Sequence, residues 1–221
     1  MQLVDYFKEE GYQITIASTA DKSLVIPSDF KEIDLVSIQL NDSSFDGFVK
    51  ELSPNIVLFD RFMTEEQFGW RVAENAPDAL RILDTEDLHS LRKSREDGIK
   101  KNIVWNKSLW LQNELTKREI ASIYRSDLSL IISSYEMQLL ESVVAEHKSL
   151  LLHLPFMLDA LDESAIEKWK PFEKRKDFVF IGFGGHAPNI DSISYLKKDI
   201  WPLIRQELPE ANLNIYGGNL P

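Results

Sequence analysis

Apolar and polar residues alternate along the chain in blocks that predict parallel β-strands separated by helices. Two apolar runs, 55–59 and 79–83, end at Asp60 and Asp84, and the residues 64–75 between them have helical spacing. Further apolar runs lie at 12–17, 33–38, 128–132 and 149–154. Strands that are apolar throughout and joined by helices form parallel sheets covered on both faces. We therefore expect an α/β, Rossmann-like domain over residues 1–158.

Local signals predict several helix ends in this domain. Gly11 follows an amphipathic segment, where a left-handed residue would end a helix. Ser133 stands three residues before Glu136, which is the spacing of a capping box at a helix start. One continuous helix is expected over about 110–124, with Leu115, Ile120 and either Ile123 or Tyr124 facing the sheet.

The second part of the chain predicts a separate βαβ unit. Residues 159–177 are rich in charge and are interpreted as an interdomain connection; a surface loop within a single domain is the alternative. A strand at 178–181, a glycine-rich turn, a helix over 188–208 and a strand at 211–216 follow. Pro202 is expected to bend that helix because proline has no backbone N–H.

Two strands and one helix cannot cover both faces of a parallel sheet. The residues 178–221 therefore either pack on the first domain or begin a domain that is incomplete. The first domain begins on a helix, whereas an open nucleotide-binding sheet usually begins with a strand and a glycine-rich turn. We therefore expect a chain truncated at both ends.

Charge and composition narrow the range of partners. The net charge is −11, with 36 acidic against 25 basic residues, which disfavours nucleic acid because phosphate binding needs a clustered positive surface. The chain has no cysteine, so it has no disulfide and no thiolate metal site. No apolar run approaches the roughly 20 residues that cross a bilayer. We expect a cytoplasmic protein with at most peripheral membrane contact.

The carboxyl ends of the predicted strands carry the candidate chemistry. Ligands of open α/β sheets bind beyond these ends, where Asp60, Asp84, Asp87 and His89 are expected. An alternative is that Asp84 and Thr85 cap the following helix and that His89 is a half-buried side chain on it. His147 and His153 are interpreted as structural.

The turn after the strand 178–181 is a second candidate. Gly184 and Gly185 precede a helix, so their amides and the helix N-terminus can receive a diphosphate. A tight strand-to-helix turn needs glycine in any case, and this alternative stays open. Asn189 and His186 lie beside the same turn. The acidic residues at 84–87 do not have the Asp-x-Asp spacing that holds a divalent cation, and we expect no metal requirement.

Four stretches, in order, together resemble family 4 glycosyltransferases, which have the two-domain GT-B architecture. They are residues 3–16, residues 81–89, residues 119–136, and residues 178–182 taken with 188–191 and 208–217. The resemblance covers nearly the whole chain. This sequence lacks two features of the family, which are the opening strand with its acceptor loop and the later donor segment with two glutamates. In addition, the loop after Gly182 lacks the Arg and Lys that many family members have.

This resemblance implies transfer of a sugar from a nucleotide-diphosphate sugar to a glycan or lipid-linked acceptor, without metal or other cofactor. Residues 1–158 would be the acceptor-side domain and 178–221 part of the donor-side domain. The resemblance implies that His89 and Asp87 are catalytic residues. It implies that the acceptor-side cleft is lined by Asp60, Arg61, Asp84 and Arg92. It also implies that the donor phosphate is bound by Gly184, Gly185 and Asn189. The alternatives are a non-catalytic remnant or binding module, and a Rossmann-like domain for another small ligand.

Overall fold

The computed structural model describes residues 2–20, 33–158 and 160–220. Its chain divides into two compact units, Met1–Leu158 and Asp159–Pro221. Asp159, the first residue of the predicted connection, lies outside the described residues. The two units are described separately below as the first unit and the second unit.

The first unit alternates strands and helices. Its elements are α1 (Gln2–Glu9), β1 (Thr15–Ser18), β2 (Asp34–Ser37), α2 (Ser44–Leu52), β3 (Ile56–Asp60), α3 (Arg61–Asn75), β4 (Leu80–Asp84), α4 (His89–Lys100), α5 (Lys107–Leu111), α6 (Glu114–Arg125), β5 (Leu128–Ile131), α7 (Ser134–Val144), a 3₁₀ segment (Ala145–Leu150) and β6 (Leu151–His153). All of its described strand pairs are parallel. The predicted α/β class is therefore confirmed, with a Rossmann-like parallel sheet flanked by helices.

The main sheet has the strand order β3-β4-β5-β6, and β1 and β2 form a separate pair. α3 packs on β3 and β4, and α7 packs on β5 and β6. Leu83, Ile123, Ile131 and Leu140 are completely buried in the resulting core. Each buried aliphatic side chain stabilises the fold by about 1.5–3 kcal/mol. The core therefore stabilises the strands whose carboxyl ends carry the candidate residues.

A cavity of about 600 Å³ is lined by residues of β1 and β3, together with the apolar side of α1 at Leu3, Val4 and Phe7. In the described part of the chain, β1 pairs with β2 and β3 pairs with β4. The two strands that line the cavity therefore belong to different described sheets.

Two predicted helix ends are observed, one of them in altered form. Gly11 has a φ of 82°, and the amides of Gly11 and Tyr12 donate to the carbonyls of Lys8 and Phe7 at 3.0 and 2.9 Å, which is a Schellman motif. The Ser133 hydroxyl accepts from the Glu136 amide at 3.4 Å. The Glu136 carboxylate, however, accepts from the Leu88 amide at 3.1 Å, so the capping box is only half formed.

The prediction of one helix over 110–124 is wrong. The segment forms α5 and α6, and the Asn113 side chain accepts from the Leu115 amide at 2.9 Å to start the second helix. α6 buries Thr116, Glu119 and Ser122 together with Ile123. Of the predicted sheet-facing residues, Ile123 is completely buried and Ile120 packs against the core, whereas Leu115 is only partly buried and Tyr124 is exposed. Polar residues take up much of the inward face.

The second unit contains the predicted βαβ arrangement. Its elements are α8 (Glu163–Glu167), a 3₁₀ turn (Phe172–Lys174), β7 (Phe178–Ile181), α9 (Ala187–Tyr195), a π-helical segment (Leu196–Ile200), α10 (Trp201–Glu207) and β8 (Leu213–Tyr216). β7 and β8 pair in parallel. The predicted helix 188–208 is interrupted by the π-helical segment just before Pro202, whose missing amide cannot continue the regular helical ladder.

A helix long and apolar enough to cross a bilayer is absent from residues 2–20, 33–158 and 160–220.

Candidate functional site

Two aspartates lie side by side where parallel strands of the main sheet end. We call this side of the sheet, formed by the carboxyl ends of its strands, the carboxyl edge. β3 and β4 pair in register, so Asp60 is the direct neighbour of Asp84. The chain then turns from Asp60 directly into α3 and from Asp84 into the loop 85–88 that leads to α4. The predicted candidates on both strands therefore share one edge, which is the edge where ligands of parallel sheets bind.

Arg61 and Glu86 join the two strand ends. The Arg61 Nε donates to Glu86 Oε2 at 2.8 Å, and this hydrogen bond raises the pKa of Arg61. Both residues have left-handed backbones, with φ of 68° and 54°. Non-glycine residues in this region carry strain that the surrounding structure must hold, and such residues are enriched at functional sites.

Asp87 binds the two basic side chains that follow it. Its Oδ2 accepts from Arg92 Nη1 at 2.7 Å, and its Oδ1 lies 3.4 Å from His89 Nε2. The Phe62 ring meets the imidazole edge-on, with ring centroids 5.8 Å apart. The His89 side chain is 16% exposed, so one part of the ring is packed and the remainder reaches solvent.

The environment of His89 favours the neutral imidazole. Burial lowers the pKa of His89 most, and Arg92 and Arg61 lower it further, whereas Asp87 opposes the change. The environment thus favours the neutral form of the ring over the charged form. Nε2 is the ring nitrogen that lies near Asp87, and in a neutral imidazole one nitrogen donates a hydrogen bond while the other accepts. Such a group can position a hydroxyl or take its proton.

The pKa values of the neighbouring carboxyl groups shift upward, which also favours their neutral forms. Burial raises the pKa of Asp84, and the charges of Glu86 and Asp60 raise it further. Burial also raises the pKa of Asp60, although its side chain is 67% exposed and solvent screens much of the effect. Carboxylates at such an edge suit hydrogen bonds from the hydroxyls of a neutral ligand.

Two buried glutamates hold the backbone of residues 88–90. Sequence reasoning assigned no role to Glu119 and predicted Glu136 only as part of a capping box. Glu119 Oε1 accepts from the His89 amide at 2.8 Å, and Oε2 accepts from the Ser90 amide at 3.0 Å. Glu136 accepts from the Leu88 amide. The one sequence signal was the spacing of Thr116, Glu119 and Ser122, which places three polar residues on one helical face.

The alternative prediction that Asp84 and Thr85 cap the following helix is wrong. α4 begins at His89, which is too far along the chain for either residue to cap it. Asp84 accepts from the Glu86 amide at 3.2 Å, and the Thr85 hydroxyl donates to the Leu130 carbonyl at 2.8 Å. Both residues therefore shape the loop between the strand and the helix.

The glycine-rich turn of the second unit is closed by the chain itself. The Gly184 amide donates to the Gly218 carbonyl at 2.8 Å, and a Cβ at Gly184 would lie 1.9 Å from the carbonyl oxygen of Asn219. The Asn189 side chain donates to the Phe183 carbonyl at 3.0 Å, and a Cβ at Gly185 would meet the Phe183 ring at 2.4 Å. Close backbone packing is therefore one reason for glycine at position 184.

Two further histidines belong to the first unit. His147 stacks edge-on with Tyr124, with centroids 5.5 Å apart, and His153 ends β6 as an exposed residue. Within the described ranges, no group of three or more histidine, aspartate or glutamate side chains is arranged to hold a metal ion.

Comparison with known protein families finds no match to this chain, and comparison with curated proteins finds none either.

Proposed function

We propose that this chain belongs to a glycosyltransferase of the GT-B type, similar to family 4. Such an enzyme moves a sugar from a nucleotide-diphosphate sugar to a glycan or lipid-linked acceptor. The observation that supports the proposal is the Asp87–His89 pair at the carboxyl edge of a parallel sheet. In this proposal His89 and Asp87 are the catalytic residues, and the reaction takes place in the cytoplasm without a metal.

The charges of the edge favour an acceptor over a diphosphate. Four carboxylates stand there with two guanidinium groups; they are Asp60, Asp84, Glu86 and Asp87, with Arg61 and Arg92. This surplus of negative charge repels a diphosphate and suits the hydroxyls of an uncharged glycan. The residues Asp60, Arg61, Asp84 and Arg92 would hold those hydroxyls, with His89 beside the reacting carbon.

The proposed reaction needs little covalent chemistry from the protein. The bond from the sugar C1 to the diphosphate oxygen breaks, and its electron pair leaves with the nucleoside diphosphate. A bond from C1 to the acceptor oxygen forms, and the proton of the acceptor hydroxyl passes to the leaving diphosphate. Catalysis then depends on positioning and on relief of charge at the leaving diphosphate. Gly184, Gly185 and Asn189 are the proposed donor-phosphate residues in the second unit.

A non-catalytic binding module is the second candidate, and one observation favours it. The Gly184 amide, which would serve the donor phosphate, already donates to the Gly218 carbonyl. A turn that satisfies its own amide has less to offer an anion. On this alternative the first unit binds a glycan and no transfer follows.

The two candidates separate in one experiment with the chain as it exists. The protein is applied to a glycan array with labelled UDP- and GDP-sugars, and transferred label and bound protein are both measured. Glycosyl transfer that His89→Ala lowers by about 10²-fold or more, at an unchanged Tm, supports the enzyme. Glycan binding without transfer supports the binding module. If the array shows no bound protein and no transferred label, both proposals are overturned.

Nucleotide binding provides an independent measurement. Calorimetric titration with UDP and GDP should show no binding tighter than about 1 mM, because the turn after β7 offers few groups to a diphosphate. Micromolar binding would contradict that expectation and would favour a complete donor site.

A further inference from the structure

The start of α4 has no local cap. The first amides of any helix lack partners within the helix, and the residue before α4 is Leu88, whose side chain cannot accept a hydrogen bond. The amides of Leu88, His89 and Ser90 must therefore find acceptors elsewhere. Leu88 and Ser90 are 1% and 0% exposed, so water cannot reach their backbone amides to accept these hydrogen bonds.

Acceptors come from two helices that are distant in sequence. Glu119 of α6 receives the His89 and Ser90 amides on its two carboxylate oxygens, at 2.8 and 3.0 Å. Glu136 of α7 receives the Leu88 amide at 3.1 Å. Glu119 is only 4% exposed, and a carboxylate at a helix N-terminus also interacts favourably with the helix dipole.

Ser90 connects Glu119 to a buried tryptophan. The Trp110 indole, which is 0% exposed, donates to Ser90 Oγ at 2.7 Å. The amide of the same serine donates to Glu119. Glu119 thus accepts hydrogen bonds from the amides of two consecutive residues, and Trp110 holds the side chain of the second.

We propose that Glu119 is the positioning residue of the Asp87–His89 pair. Its carboxylate holds the backbone of His89 and Ser90 and so fixes the imidazole between Asp87 and the Phe62 ring. The importance of this role for catalysis rests on the proposed glycosyl transfer. The positioning of His89 by Glu119 can be measured even if the protein has no transfer activity.

Glu119→Gln tests this role with little change of shape. Glutamine offers one acceptor and one N–H₂ group, so one of the two amides loses its partner and faces a donor. We expect hydrogen exchange at the amides of His89 and Ser90 to accelerate by at least about tenfold. The nuclear Overhauser effect between the His89 and Phe62 rings should weaken at the same time. The Leu83 amide in β4 should keep its protection.

Glu65→Gln is the matched control. Glu65 is 3% exposed, lies on α3 and hydrogen-bonds Arg125 of α6, without a hydrogen bond to residues 88–90 among the described contacts. This variant should lose global stability but keep the local exchange rates and the ring-to-ring signal. Wild-type rates in Glu119→Gln, or equal changes in both variants, would overturn the proposal.

Ser90→Ala keeps the test decisive if Glu119→Gln does not fold. Alanine removes the hydroxyl that accepts from Trp110 but keeps the amide that donates to Glu119. The same two measurements should change in the same direction by a smaller factor, and no change would contradict the role. A failure of the glycosyl-transfer proposal would leave all these rates unaffected, so the two inferences are tested separately.

Discussion

The two units use the same parallel strand–helix–strand arrangement, but they bury very different amounts of apolar surface. The four-stranded sheet of the first unit surrounds a core with many fully buried side chains. In the described part of the second unit, Ile193 and Ala211 are the only buried apolar residues, each 8% exposed. Two paired strands satisfy backbone hydrogen bonds but do not provide two covered faces. The comparison shows that strand pairing alone does not create a core.

The two candidate sites differ in the same way. Buried carboxylates from separate helices hold the residues 88–90. The turn at 182–185, in contrast, is held largely by backbone hydrogen bonds and by its own side chains. Residues in the first site are therefore positioned by the core, whereas those in the second are positioned by local geometry.

The largest expected effect compares two isoleucines that each end a strand. Ile131 ends β5 and is 0% exposed, and Ile181 ends β7 and is 78% exposed. Ile131→Ala should lower the free energy of unfolding by about 2–5 kcal/mol, and Ile181→Ala should change it by less than about 0.5 kcal/mol. Urea unfolding followed by amide NMR signals of each unit measures both. Similar losses in the two variants would refute the comparison.

The next effect is the pH dependence that Glu119 gives to the first unit. Burial raises the pKa of Glu119 to about 7 from 4.5, so the folded state keeps a proton that the unfolded chain has lost between these values. Stability should therefore fall as pH rises from 4.5 to about 7. The expected loss is about 3 kcal/mol relative to Glu119→Gln. Urea unfolding of both proteins at several pH values gives this difference, and parallel curves would contradict it.

The smallest effects compare two glycines. Gly184→Ala would place a methyl group 1.9 Å from the Asn219 carbonyl oxygen, so we expect it to destabilise the second unit by more than about 1 kcal/mol. Gly47 lies inside α2, and a Cβ there meets nothing within 4 Å. Gly47→Ala should stabilise the first unit by about 0.5–1 kcal/mol. Thermal unfolding and amide exchange measure both changes, and a neutral Gly184→Ala would show that the turn adapts.

Much of the fold was predictable from local patterns. The apolar runs before Asp60 and Asp84 predict β3 and β4, and Gly11 ends α1 as expected, because each feature depends on a few neighbouring residues. The break between α5 and α6 was missed because Asn113 starts a new helix through its own side chain. Apolar spacing alone does not report that hydrogen bond.

The candidate site was predictable only in part. The ends of parallel strands are sequence features, so Asp60, Asp84 and the nearby His89 were expected at one edge; their functional roles stay a prediction. The contribution of Glu119 depends on contacts across about 30 residues, between α6 and the start of α4. No local pattern encodes such a contact, because buried polar partners are chosen by tertiary packing.

The left-handed backbones of Arg61 and Glu86 have a consequence for selection experiments. Glycine adopts this conformation without the penalty that other residues pay. In a mutant library sorted only for folded protein, glycine should therefore be enriched at positions 61 and 86. A library sorted for ligand capture should retain arginine and glutamate there, so the contrast between the two sorted pools would report which chemistry these positions serve.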